Sequence, residues 1–110
     1  MACLLEKGAI FYYILTMSEK IRVHIFVSGR VQGVFFRSNT AEKARELRLT
    51  GWVRNLEDGR LEAVFEGEEE KVKEIVKWAK RGPNLARVNS IEILWEDYKG
   101  EFNNFGIRYD

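Results

Sequence analysis

The chain is poor in the side chains on which most enzyme chemistry rests. It has one cysteine (Cys3), one histidine (His24), one proline (Pro83) and three aspartates, Asp58, Asp97 and Asp110. A lone cysteine closes no internal disulfide. Zinc sites with Cys/His spacing and Ser–His–Asp triads have too few parts to assemble. An excess of one charge is missing too: 18 Lys and Arg stand against 17 Asp and Glu, a formal net charge of +1. Such a balance supplies no global field for a polyanion, which disfavours nucleic acid and membrane surfaces as partners. The most apolar run, from Gly8 to Met17, has about half the ~20 residues that a bilayer span requires. It is a poor signal peptide, with only Lys7 as a nearby cation and Ser18-Glu19-Lys20 where small residues should mark cleavage.

What is present describes one globular domain. The 110 residues are 45% hydrophobic and 32% charged, a folded rather than disordered composition with room for a single core. Residues 1–16 read as an extension upstream of an alternative start at Met17, and residues 17–110 as the domain. The rival reading makes the apolar segment an added strand or a means of self-association through residues 8–17.

From Lys20 onward the periodicities are clear. Ile21, Val23, Ile25 and Val27 alternate with Arg22, His24 and Phe26, which predicts a half-buried strand. A loop from Ser28 to Gly33 follows. Phe36 to Leu49 predicts a helix with Ala41, Ala44 and Leu47 on one stripe. Thr50–Asn55 and Arg60–Glu66 predict a hairpin turning through Asp58-Gly59. Glu68 to Arg81 predicts a second helix, with Val72, Ile75, Val76 and Ala79 at helical spacing and Gly82-Pro83 as its stop. A strand from about Val88 to Trp95 and a short alternating tail at Phe105–Tyr109 complete the order. The expectation is an α+β, ferredoxin-like βαββαβ sandwich: a four-stranded antiparallel sheet, two helices on one face and a short C-terminal strand.

The chemistry is concentrated in Gly29-Arg30-Val31-Gln32-Gly33-Val34-Phe35-Phe36-Arg37. Two glycines four apart, between a strand end and a helix start, permit tight turns with N–H groups aimed inward. Such a nest at a helix N-terminus attracts anions. Arg37 adds a planar guanidinium that grips phosphate oxygens in pairs. No Gly-Lys-Ser/Thr follows, so this is not a P-loop. A Cys-x5-Arg phosphatase loop is absent, since Ala9 occupies the required position, and so is an Asp-x-Asp pair.

GRVQGVFFR resembles the signature of the acylphosphatase family, G-x-V-Q-G-V-x-F/Y-R. Gly51-Trp52-Val53-x-Asn55 resembles a second family segment, and the Gly82-Pro83 loop is also similar. The resemblance runs from about Ile21 to Tyr109. It implies hydrolysis of acyl phosphates to a carboxylate and inorganic phosphate, without metal or other cofactor. It further implies Arg37 as the phosphate-binding arginine and Asn55 as the residue orienting water. The backbone amides of Gly29, Arg30, Val31, Gln32, Gly33, Val34 and Phe35 would form the phosphate loop. A cytoplasmic monomer is expected, with no nucleic-acid or membrane partner.

Other features read more plainly. Arg30 and Arg54 read as surface arginines beside the site, and His24 as exposed and inert. The acidic run Glu66 to Glu70 reads as a helix N-terminus complementing the dipole. Phe35, Phe36, Trp52, Phe65, Trp78 and Trp95 read mainly as core. Two rival functions stand: a phosphate-binding module without turnover, and an RNA-recognition domain on the same frame. Against the latter, Gly59–Glu66 carries two glutamates where a basic, aromatic-rich strand is needed.

Overall fold

The computed structural model describes residues 19–110; Cys3, the expected extension at 1–16 and the proposed self-association segment 8–17 lie outside the described residues. The elements are β1 (Lys20–Arg30), α1 (Phe36–Glu46), β2 (Thr50–Asn55), β3 (Leu61–Glu68), α2 (Glu69–Ala79), β4 (Arg87–Asp97) and β5 (Phe105–Arg108). They form one sheet of order β4-β1-β3-β2-β5. β1 lies between β3 and β4, antiparallel to both, and β2 is antiparallel to β3. The tail does more than append a short strand. β5 pairs parallel to β2, so the sheet is five-stranded and mixed. It earns that place by burying Phe105, whose ring stacks on Phe65 at 5.3 Å.

The alternation in β1 has the expected consequence. Val23, Ile25 and Val27 are buried and face Phe65, Ala63 and Leu61 of β3 across the ladder. The helices cover this face with Ala41 and Ala44 from α1 and Val72, Ile75, Val76 and Ala79 from α2. Phe36 at the start of α1 meets Trp78 of α2 edge to face at 5.5 Å.

Both helices stop sooner than expected, α1 at Glu46 instead of Leu49 and α2 at Ala79 instead of Arg81. α1 ends in a Schellman closure: Arg48 N–H donates to Arg45 O and Leu49 N–H to Ala44 O, at 3.0 and 2.8 Å. Arg48 takes the left-handed position at φ 59°, so no glycine marks the end. α2 closes with Gly82 N–H donating to Trp78 O at 2.8 Å. β1 runs further than expected, through a register shift at Ser28/Gly29 to Arg30. Gly29 and Arg30 therefore belong to the ladder and not to the loop.

The structure corrects three further readings, two of them on the other face of the sheet. His24 is not exposed and inert: its side chain is 23% exposed and Nε2 lies 2.6 Å from Glu62 Oε2. Glu66 is not part of a helix N-terminus. It is buried on β3, accepting hydrogen bonds from Arg22 Nη1 at 3.2 Å and Lys99 N–H at 2.9 Å. Burial opposes the charge on Arg22, but hydrogen bonds to Glu101, Glu66 and Glu96 outweigh it and raise the guanidinium pKa. Of the aromatics assigned to the core, Phe36 and Phe65 are buried, whereas Phe35 and Trp95 are 70% and 52% exposed. Trp52 stands half-buried on this outer face, with the Arg108 and Arg54 guanidinium groups over its ring at 4.6 and 5.4 Å.

β1 and β4 approach closely at Gly29. A Cβ there would lie 2.1 Å from Arg87 O and 2.8 Å from Asn89 N, with φ at +129°. Gly29→Ala should therefore destabilise the fold by about 2 kcal/mol or more. Thermal unfolding should show a Tm lower by at least about 8 °C. Gly106→Ala, whose Cβ would meet nothing within 4 Å, should leave Tm nearly unchanged.

Candidate active site

The loop Val31–Phe35 leaves the end of β1 and enters α1. Gly33 has φ 74° and Phe35 φ 63°, while Val34 between them is not among the positive-φ residues. That alternation of sign turns successive N–H groups to one side, the geometry of an anion-binding nest. No backbone N–H from Val31 to Ser38 donates to another backbone group among the described residues. The loop thus adds its own donors to those that every helix leaves free in its first turn.

Phe35 occupies the left-handed region at φ 63°, ψ 23° although it is bulky, and its ring is largely exposed. Strain of this kind costs on the order of 1–3 kcal/mol and persists only where surrounding contacts enforce it. Here Ser38 Oγ, Asn39 Nδ2 and Asn39 N–H all donate to Phe35 O, at 3.2, 2.8 and 3.0 Å. They fix the peptide plane at the helix entrance.

Arg37 and Asn55 come together. A pocket of about 270 Å³ is lined by both side chains, by Val31, Gly33 and Phe35 of the loop, and by Ile107 and Tyr109 from the C-terminal segment. The Arg37 guanidinium lies over the Tyr109 ring at 5.0 Å and has no carboxylate partner among the described residues. Its donors therefore remain available to an anion. Asn55 ends β2, and its buried Oδ1 has no hydrogen-bond partner among the described residues. Leaving such a group unpaired costs about 1–3 kcal/mol, a penalty that natural structures tend to keep at working sites.

Of the other expected loop members, Val34 and Gln32 send their side chains away from the pocket, and Gly29 and Arg30 lie in the ladder. Val34 is buried in the core, and Gly29 and Arg30 pair with Val88 and Arg87 of β4. The Gln32 side chain turns from the pocket and donates from Nε2 to Leu56 O at 2.7 Å and to Arg60 O at 3.0 Å. These carbonyls bracket the β2–β3 turn, so Gln32 ties the loop to the hairpin that begins just after Asn55. The sequence reading missed this role, and also Tyr109. Both lie in segments it singled out, Gln32 in the nonapeptide and Tyr109 in the alternating tail. Among the described residues, no three His, Cys, Asp or Glu side chains come together as a metal-holding group.

Residues 23–107 match the acylphosphatase family model. The chain belongs to the acylphosphatase family. It is 52% identical over 91 residues to the acylphosphatase of Roseiflexus sp. RS-1, covering 83% of this chain and 98% of that one. It is 48% identical over 91 residues to that of Pelotomaculum thermopropionicum, covering 83% and 99%. The acylphosphatase structure from Bacillus subtilis superposes with a TM-score of 0.78 at 35% identity, covering 81% of this chain and 99% of that one. The chain is accordingly an enzyme that hydrolyses acyl phosphates, taking a small-molecule substrate and releasing inorganic phosphate. No helix of the described residues is long and apolar enough to cross a membrane.

The Gln32 clamp makes a specific expectation for this acylphosphatase. Gln32→Ala removes two hydrogen bonds worth about 1 kcal/mol each, so the inhibition constant for inorganic phosphate should rise by up to about thirtyfold. Competitive inhibition of acetyl phosphate hydrolysis measures it.

Proposed function

We propose that Arg37 and the loop amides hold the phosphoryl group while Asn55 orients the attacking water. The observation that carries this reading is the meeting of Arg37, an orphaned Asn55 amide oxygen and an amide-lined nest in one pocket. Phosphoryl transfer passes through a loose transition state with charge spread over the equatorial oxygens. Donors fixed before the reaction begins stabilise that charge without reorganising. The guanidinium takes two oxygens, and the nest takes the remaining charge.

Asn55 Oδ1 is an acceptor, and water attacking in line has protons to donate. A water held against that oxygen presents its lone pair to phosphorus on the side away from the leaving carboxylate. As the O–P bond forms, the bond to the carboxylate oxygen breaks with its electron pair leaving on the carboxylate, and the surplus proton of the water passes to a phosphate oxygen or to solvent. The leaving group has a conjugate acid of pKa about 4, so it departs without a general acid. Nothing in this sequence of events calls for a histidine, a thiol, a metal or another cofactor. The proposal also carries the expectation of a cytoplasmic monomer acting without nucleic-acid or membrane partners. The outer sheet face favours that reading over RNA binding, because Glu62, Glu66 and Glu96 occupy it and hold His24, Arg54 and Arg22.

Asn55→Ala should lower kcat for acetyl phosphate by on the order of 10²–10³-fold, as loss of a positioning group does, while inorganic phosphate still binds. Arg37→Lys should weaken phosphate inhibition by roughly tenfold, since a point charge cannot reproduce the fork. Both assays are run with a chelator present. Wild-type turnover in either variant would remove that residue from the mechanism.

A further inference from the structure

A second depression, of about 320 Å³, opens at the far end of the sheet and shares no lining residue with the Arg37–Asn55 pocket. Glu46, which closes α1, and Thr50, which opens β2, line it. Phe36 and Asn55, at the opposite ends of the same two elements, line the other pocket. The volume lies at the lower end of the ~300–1,000 Å³ usual for small-molecule sites and far exceeds the ~30 Å³ share of one water.

Its lining contains an unsatisfied carboxylate. The Glu66 side chain lines the depression, is 0% exposed, and leaves Oε1 without a hydrogen-bond partner among the described residues. Oε2 is committed to Arg22 Nη1 at 3.2 Å and to Lys99 N–H at 2.9 Å. The same Arg22 guanidinium also bonds Glu96 and Glu101, so one positive charge serves three carboxylates. A buried carboxylate oxygen without a donor is costly, and a charged donor relieves it best. What the position lacks is a cationic N–H group.

The remaining charged groups of the depression are uncommitted. Lys20, Arg48 and Lys71 line it, as do Glu46 and Glu68, and none of the five is in a salt bridge among the described residues. Arg48 stands there at a conformational cost, with φ 59° in the region where glycine is free of strain. A simple anion drawn by Lys20, Arg48 and Lys71 meets the carboxylates, and a simple cation drawn by Glu66 meets the three basic groups. Glu46, Glu66 and Glu68 do not gather as a metal-holding group. A small molecule bearing both an ammonium and a carboxylate answers both sets of groups.

We propose that this depression binds a free α-amino acid, whose ammonium donates to Glu66 Oε1 and whose carboxylate accepts from Arg48 and the neighbouring lysines. The site stands apart from the roles of Arg37 and Asn55 in the reaction.

The test titrates the common α-amino acids, one at a time and at constant ionic strength, into the isotope-labelled full chain while amide chemical shifts are followed. At least one amino acid should give saturable shifts at the Leu47, Arg48, Thr50 and Gly67 amides. Its carboxamide, which keeps only the ammonium, and its N-acetyl derivative, which keeps only the carboxylate, should each bind at least roughly tenfold more weakly, the worth of one charge-assisted contact. Glu66→Gln should weaken binding of the parent amino acid by a similar factor. Because that change also touches Arg22, Arg48→Gly supplies a variant suited to the left-handed backbone: its Tm should not fall, its acetyl phosphate turnover should stay within about twofold of wild type, and its amino-acid affinity should drop roughly tenfold. Absence of a saturable shift with every amino acid would overturn the proposal. So would a carboxamide or N-acetyl derivative that binds as tightly as the parent, since one charge would then suffice. Undiminished affinity in folded Arg48→Gly would overturn it as well.

Discussion

The geometry of the Arg37–Asn55 pocket is tied together by the two hydrogen bonds from the Gln32 side chain to Leu56 O and Arg60 O. Arg37 follows β1 and Asn55 ends β2, yet β1 and β2 are not neighbours, because β3 lies between them. Sheet pairing brings their ends to the same edge of the fold but does not set the distance between a loop and a strand end. Gln32 does, by reaching across to the carbonyls on either side of the intervening turn. That turn is itself held, with Leu56 N–H donating to Arg60 O at 2.8 Å. Asp58 accepts from Arg60 N–H and Nε, the backbone bond first among the causes that lower its carboxyl pKa.

The charge distribution follows a division of labour between the two sheet faces. On the outer face, cations and carboxylates neutralise one another: Arg22 with Glu66, Glu96 and Glu101, and Arg54 with Glu62. Removing one partner there would strand a buried charge, so those residues act in the fold. At the end where β1 meets α1, Arg37 has no carboxylate partner among the described residues and is steadied by the Tyr109 ring. A ring positions a guanidinium without occupying its hydrogen-bonding edge. Near-neutral overall charge and a local anion site are therefore compatible on the proposed reading, in which the site is built from backbone amides and one uncommitted arginine.

Much of the fold was legible from the chain, for reasons particular to each element. β2 was readable at both ends, since Thr50 follows a helix and Asn55 precedes a strong turn. α2 was readable from its apolar spacing. The end of α1 was hidden because Arg48 adopts a conformation normally left to glycine. The end of β1 was hidden for the opposite reason. Gly29 looked like a loop breaker, but it serves as the point where two strands come too close for a side chain. Arg37 and Asn55 were legible through the resemblance of their motifs. Their meeting in one pocket came from topology, which no local pattern encodes. The partnership of Glu66 with Arg22 was likewise invisible, because the two are 44 positions apart and Glu66 sits in a run of acids.

Phe35 shows how these constraints converge. Its exposed ring and left-handed backbone both oppose stability, and neither follows from the needs of the core. The conformation persists because its carbonyl is held by Ser38 and Asn39, while the preceding loop is held by Gln32. Release of that position from the left-handed region would turn the peptide plane and break the alternation that begins at Gly33. The nest would then lose donors to rotation rather than to mutation of any residue that touches phosphate. On the mechanism proposed above, backbone conformation is the resource that so few reactive side chains leave open, and fixing it costs stability that the outer face and the core offset.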